Sequence, residues 1–342
     1  MLKLILKYIL LILLSLIIAI LTIEIGLRSI QGWFFEAPDY LEYDKELGTY
    51  PRPFFKQTVG IGAYRNVIQH NSLGLRGPEL KTTHKLRIVI LGDSYTYGYG
   101  AENSGTIPSQ LEWFLNVNGI NAEVLNLGVG GYGTAQSFLR FQRLSYLKPD
   151  FVIYMFCDND PLDNKEFIEG KKHPPLPKYH RSLIRVILRR YSIALQSYFQ
   201  RKLLLEKPSP KPKWIFREER QNVGVRSKID TEEQRLTTEY VNKIAELSDK
   251  IGAQFMISYI NYCVNIKGHA SLSPTTSVFN NLFKDQGYQT ISAAERIEAY
   301  IQNWEKFRGE IPFMGHFSAF GYKPYAETLG KKIVESYNKK IN

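Results

Sequence analysis

The run Ile88-Val-Ile-Leu-Gly-Asp-Ser-Tyr-Thr96 is a β-branched, apolar stretch that ends in Gly-Asp-Ser. That order places the Ser94 hydroxyl on the turn just past a buried strand. Open α/β sheets put their chemistry there, beyond the carboxyl ends of the strands. A serine hydroxyl is inert at its free pKa and needs a base to take its proton. A neutral imidazole suits that task near neutral pH. Gly-Asp-Ser alone is a weak signal, but three further segments follow it in order. They are Asn126-Leu-Gly-Val-Gly-Gly131, then Asn159-Asp160, then Gly315-His-Phe-Ser318. Taken alone, Gly130-Gly131 reads as a tight strand-to-helix turn and Asn159 as an Asx-turn at a strand end.

The elements that must hold these residues alternate. Leu86–Leu91, Ala122–Leu127, Phe151–Phe156 and Gln254–Tyr262 read as short apolar strands. Helices are expected over Ile107–Asn116, Thr134–Ser145, about 231–250, about Ala293–Lys306 and about Gly321–Tyr337. Asp230 is a helix cap with Glu233 as its capping-box partner. Short strands alternating with helices predict a parallel sheet covered on both faces.

As a set, the four blocks resemble the SGNH (GDSL) hydrolase superfamily, whose members are esterases and deacetylases. The resemblance runs from about Arg87 to the C-terminus and is loose outside the blocks. Asn71-Ser-Leu-Gly-Leu-Arg-Gly-Pro-Glu79 also resembles a segment of membrane-anchored members. The resemblance implies a three-layer α/β/α, flavodoxin-like fold. It makes Ser94 the nucleophile and His316 the general base. The oxyanion hole would then be the backbone N–H groups of Ser94 and Gly131 with the side-chain amide of Asn159. Glycine suits such a place because no Cβ blocks the approach of substrate. The family's usual aspartate, two or three residues before the histidine, is replaced by Met314 and Phe313. Three explanations stand open: a backbone carbonyl holds the imidazole and leaves a Ser–His dyad, Glu310 acts as the orienting acid, or the site binds glycans without cleaving them. Asp93 reads as a buttress of the turn. His70, His84, His173, His180 and His269 read as surface residues. No Gly-x-Ser-x-Gly elbow surrounds Ser94, which disfavours an α/β-hydrolase.

Tyr8 to Ile23 is an uncharged run of 16 residues, preceded by Lys3 and Lys7. At about 1.5 Å per residue it spans ~24 Å of a ~30 Å hydrocarbon core. Extending it back to Leu2 closes the gap, with the lysines snorkelling. An uncleaved anchor over residues 2–23 is expected, because no Ala-x-Ala cleavage pattern follows. The lysines place the N-terminus in the cytoplasm. The remainder then faces outward, on the periplasmic side of a bacterial inner membrane.

The expected organisation is an anchor over 1–28, an irregular lead-in over 29–85 and a hydrolase domain over 86–342. A basic, cap-like insertion lies at about 165–229. The formal net charge is +11. Between Lys165 and Arg220 there are 15 Lys/Arg and 5 Asp/Glu, so almost the whole excess is local. An amphipathic helix is expected over His180–Leu205, with Arg181, Arg185 and Arg189 on its polar side. Anionic lipid or an acidic glycan is the partner that charge suits. Nucleic acid is not expected, because no zinc-finger or related signature occurs. Arg76 reads as a loop-holding residue that bonds backbone carbonyls. Two cysteines, Cys157 and Cys263, make no disulfide framework; two buried thiols or one bridge are both open. No metal cluster, phosphate loop or dinucleotide fingerprint is present, so no cofactor is expected. The function that fits is removal of O-acetyl or other short acyl esters from a surface carbohydrate through an acyl-serine. An O-acyltransferase on the same site and a non-catalytic glycan-binding envelope protein remain as alternatives.

Overall fold

The computed structural model describes residues 2–31, 40–61, 64–170, 229–260, 262–264, 269–301 and 316–341. Helix α1 covers Leu2–Gln31. Its Lys3–Ile25 stretch has mean hydropathy 3.0 and is not buried. At about 1.5 Å per residue those 23 residues run ~35 Å, long and apolar enough to cross a membrane. A signal sequence has the same character. Residues 1–39, 58–65 and 174–209 cluster as one unit, and 40–57, 66–173 and 210–342 as another.

The second unit carries the α/β core. Two two-stranded ribbons come first in the chain: β1 (Leu41–Asp44) antiparallel to β2 (Gly48–Pro51), then β3 (Lys56–Ile61) with β4 (Tyr64–Gln69). The core strands are β5 (Leu86–Gly92), β6 (Ala122–Asn126), β7 (Phe151–Phe156) and β8 (Gln254–Tyr259). A short hairpin follows, β9 (Tyr262–Val264) with β10 (Ala270–Leu272), and then β11 (Thr290–Ile291). The main sheet has the order β11-β8-β7-β5-β6, and its pairs are parallel. β5 connects outward to β6 on one side, and the chain then returns to β7 on the other. The topological switch therefore falls at the end of β5, where an open α/β sheet leaves a crevice.

The helices are α2 (Ser94–Tyr97), α3 (Ile107–Val117), α4 (Thr134–Leu144), α5 (Asp160–Ile168), α6 (Thr231–Lys250), α7 (Pro274–Asp285), α8 (Ala294–Ile301) and α9 (Ala319–Ile341). α4, α5 and α6 pack on one another; α3 and α8 pack on α9. β7 is buried at every residue, as expected of a strand covered on both faces. The expected central parallel sheet flanked by helices is thus the fold. β5, β6 and β7 fall within a residue of their sequence-based limits. β8 stops at Tyr259, short of the expected Tyr262, because Tyr262–Val264 turns back into the hairpin with β10. β11 pairs through only Thr290 and Ile291, too short a run to show periodicity. α7 was not expected; Pro274 begins it and Ser273 caps it.

Within this unit, residues 40–57 and 66–85 build a wall of the core. Arg76 is buried and donates to the carbonyls of Tyr97 (3.0 Å), Gly98 (2.7 Å) and Ala101 (2.6 Å), and to Asn103 Oδ1 (3.0 Å). It also lies over the Tyr97 ring, 4.8 Å from the centroid. The loop-holding role expected from the sequence is therefore its role. His70 corrects the sequence reading: it is not a surface residue but is 2% exposed. Its Nδ1 meets the Arg52 carbonyl at 2.9 Å and its Nε2 meets the Tyr97 hydroxyl at 2.8 Å. A carbonyl only accepts, so Nδ1 carries the proton and Tyr97 donates to Nε2. Burial pushes the imidazole pKa down to about 4, which keeps that neutral tautomer at physiological pH. His84 is part-buried beside Glu123, and His269 is exposed. His173 and His180, with the expected helix over His180–Leu205, lie outside the described residues. Cys157 is a buried thiol and not half of a disulfide; the Cys263 side chain lies outside the described set.

Replacing Arg76 with leucine strips four hydrogen bonds from the loop that follows Ser94. Buried acceptors then lose a charged donor, at a cost of about 3 kcal/mol or more. Chemical denaturation of the full chain should show that loss. Arg76→Lys should recover only part of it, since an ammonium cannot span the same four acceptors. Equal stability of all three proteins would contradict the assigned role.

Candidate active site

Ser94 is the first residue of α2, directly at the end of β5. The buried Asp93 carboxylate accepts from the Tyr95 N–H at 2.9 Å and so caps the helix that the serine begins. The Ser94 hydroxyl lies 3.5 Å from the other Asp93 oxygen, the outer limit of a hydrogen bond. Its close partner is His316, whose Nε2 stands 2.7 Å from Ser94 Oγ. Both residues are half-buried.

His316 reaches the serine because the last helix is tied to the first half of the core. Gln110 on α3 donates through Nε2 to the carbonyls of Gly105 and Ala319, each at 2.7 Å. Tyr322 on α9 donates to the Tyr99 carbonyl at 2.7 Å. Tyr325 donates to the Ile260 carbonyl at 2.8 Å, beyond the end of β8. The imidazole ring is flanked by Tyr95, with centroids 4.5 Å apart, and by Tyr99, at 5.2 Å. Glu310, Phe313 and Met314 lie outside the described residues.

Gly131 lies in the turn after β6, at φ +80°, and is exposed. A side chain there would be strained, and open space surrounds the place a Cβ would occupy. The same turn is pressed against the nucleophile's helix through Gly128. A Cβ at Gly128 would collide with the Tyr97 nitrogen and lie 2.7 Å from the Thr96 carbonyl carbon. Asn159 follows β7 and immediately precedes α5. Its amide donates to Asp163 Oδ2 at 2.7 Å, one helical turn further on, and also bonds Asp93. The loop before it is held from α7: Ser273 and Thr276 each donate to Asp158 Oδ1 at 2.6 Å. Three consecutive strand ends therefore bring Ser94, Gly131 and Asn159 to one end of the sheet, and α9 brings His316 onto Ser94.

Four contributors were not legible in the sequence. Asp163 orients Asn159, but an aspartate four residues along a helix is too common to stand out. Tyr95 and Tyr99 flank His316, yet the alternation of Tyr95, Tyr97 and Tyr99 with Thr96 and Gly98 resembles ordinary core. His70 was hidden by its place in a loop.

The floor under Ser94 is rich in carboxylates. Burial raises the Asp93 pKa to about 6, opposed by bonds from the Tyr95 N–H, the Cys157 thiol and the Asn159 amide. Asp160 is pushed well up by its own burial and by the Asp93 charge, and the Tyr154 hydroxyl and Cys157 N–H donate to it. The consequence for stability has a definite sign. As pH rises from about 4 to about 6, the unfolded chain releases the Asp93 proton while the folded chain keeps it. The Asp93 contribution to stability therefore falls across that window and levels off above it, by on the order of 2–3 kcal/mol. Asp93→Asn removes this slope, so its stability relative to wild type should climb by that amount between pH 4 and pH 7. Parallel stability curves for the two proteins would contradict the assignment.

A family model for the GDSL-like lipase/acylhydrolase domain matches residues 88–329. No curated protein matches the chain. Among solved structures, an acetyl xylan esterase is 11% identical, with a TM-score of 0.40 over 72% of this chain and 100% of that one. An esterase from Pseudoalteromonas sp. is 12% identical, with a TM-score of 0.38 over 75% and 100%. A family 3 carbohydrate esterase from Clostridium thermocellum is 13% identical, with a TM-score of 0.40 over 74% and 98%. Likeness this distant says nothing about substrate. The family match itself covers most of the chain and includes all four strand-end and loop residues of the site: the chain belongs to the GDSL-like lipase/acylhydrolase family and is a hydrolase of ester bonds.

Proposed function

We propose that the chain is a membrane-anchored serine esterase that removes O-acetyl or other short acyl groups from a cell-surface carbohydrate. The observation that carries the catalytic part is the 2.7 Å contact between His316 Nε2 and Ser94 Oγ. In the working tautomer Nε2 is unprotonated and accepts the Ser94 proton as the oxygen attacks the ester carbonyl. In this reading the developing oxyanion is received by the Ser94 and Gly131 N–H groups and by the Asn159 amide, which gives up its bond to Asp93 or Asp163 to do so. His316 returns the proton to the leaving alkoxide, which departs as the alcohol. Water, deprotonated by the same imidazole, opens the acyl-Ser94 ester and releases the acid.

The carbohydrate and the location rest on different support. The α1 stretch Lys3–Ile25 is long enough to anchor the chain, and the two leading lysines favour an outward-facing domain. The basic run between Lys165 and Arg220 suits an acidic glycan or an anionic lipid surface.

The test is hydrolysis of a short-chain aryl acetate and of an O-acetylated polysaccharide by the full chain in detergent. Ser94→Ala and His316→Ala should each lower the rate by at least about 10³-fold. Together they should lose little more than either alone, because the two groups act as a unit. Rates equal to wild type in both variants would refute the mechanism. Hydrolysis of the aryl ester with no acetate released from the polysaccharide would refute the substrate class.

A further inference from the structure

We propose that Tyr95 is a positioning residue that holds the His316 imidazole and stabilises its protonated form through the aromatic face. This inference rests on the Ser94–His316 chemistry proposed above. The Tyr95 ring lies 4.5 Å from the imidazole, centroid to centroid, at an interplanar angle of 37°. The two rings are tilted toward one another and close enough for a cation to feel the ring quadrupole. Tyr99 closes a second side at 5.2 Å and 79°. Both tyrosines sit on the segment that carries the nucleophile, so the ring contacts fix the imidazole relative to Ser94 itself.

The placement is over-determined. Tyr95 is the residue after Ser94, and its N–H is bound by Asp93 at 2.9 Å. Its ring also packs on Phe317, 5.5 Å away, the residue after His316. Phe317 in turn stacks on Tyr325 of α9 at 5.8 Å. The phenol stays neutral, because burial raises its pKa well above the usual value. It therefore offers a π-face and no negative charge.

The chemistry calls for such a contact. Each acylation converts a neutral imidazole into an imidazolium, and groups that favour the cation lower the barrier. In the family this role falls to an aspartate, whose usual positions here are Phe313 and Met314. A ring face contributes to the same end whatever accepts from Nδ1, and it acts on the cation more than on the neutral ring.

Tyr95 and Tyr99 flank the imidazole, and two carboxylates stand in the floor of the site. Ser94 faces it directly, Asp93 lies behind Ser94, and Asp163 lies beyond Asn159. Because Asp93 titrates at about 6, a rate profile alone would mix its signal with that of His316. The imidazole is therefore read directly.

The experiment is an NMR titration of the full chain in detergent, with labelled histidine and His316→Ala to assign the resonance. Wild type is compared with Tyr95→Leu and Tyr95→Phe, and kcat and KM are measured on the aryl acetate across the same pH range. Tyr95→Leu should lower the His316 pKa by up to about one unit, since it removes a contact that favours the charged form. It should lower kcat by roughly 3- to 30-fold with little change in KM. Tyr95→Phe keeps the face and should keep the wild-type pKa, with kcat within about threefold. An unchanged His316 pKa in Tyr95→Leu would overturn the proposal, even if the rate falls, because loss of packing alone explains that. A pKa shift shared by the leucine and phenylalanine variants would overturn it too, by assigning the effect to the hydroxyl. The titration does not require turnover, so it decides the matter even if no ester is hydrolysed, a result that would fall on the esterase reading alone.

Discussion

A serine hydroxyl becomes a nucleophile only when a base stands within hydrogen-bonding reach, and here the base comes from the far end of the chain. The 2.7 Å approach of His316 to Ser94 closes a loop of more than two hundred residues, and much of the core serves to keep it closed. The sheet sets Ser94 at the strand end where the connection reverses direction. α9 returns His316 by packing on α3 and by bonds from Tyr322 and Tyr325 to the loops after β5 and β8. An error of about an ångström in that return would be costly, since reactivity falls steeply with misplacement.

The same end of the sheet holds groups that favour function over stability. Asp93 and Asp160 are buried, no ion pair among the described residues gives either a cationic partner, and burial raises both pKa values. They orient the turn, the Asn159 amide and the β7 loop through hydrogen bonds from Tyr95, Tyr154 and Cys157. Desolvated carboxylates destabilise the fold near neutral pH. Such local conflicts cluster where a site must be held rigid. The wall built by His70 and Arg76 has the opposite character. The Arg76 guanidinium bonds carbonyls and the Asn103 side chain and lies over the Tyr97 ring, and the neutral His70 imidazole bonds the Tyr97 hydroxyl, which fixes the segment from Tyr97 to Asn103.

Much of this was legible in the sequence, for identifiable reasons. β5, β6 and β7 are short, mostly apolar runs bounded by turn residues, so their limits needed no tertiary knowledge. The blocks around Ser94, Gly131, Asn159 and His316 lie at strand ends or just before a helix, where their order along the chain becomes convergence in space. What escaped detection depends on long-range packing. His70 looks like a polar loop residue until Tyr97 and the Arg52 carbonyl enclose it. β11 has two paired residues and gains its identity only from β8. α7 carries apolar residues at helical spacing, but its role in holding Asp158 is set across more than a hundred residues of chain.

The central claim is that His316 activates Ser94, and covalent trapping tests it most directly. The full chain would be treated with a fluorophosphonate ester and the modified peptide located by mass spectrometry, with the labelling rate followed as a function of pH. A single adduct on Ser94 is predicted, forming more slowly as the imidazole is protonated and slower by orders of magnitude in His316→Ala. An adduct on another residue, or the same rate on Ser94 with and without His316, would contradict it.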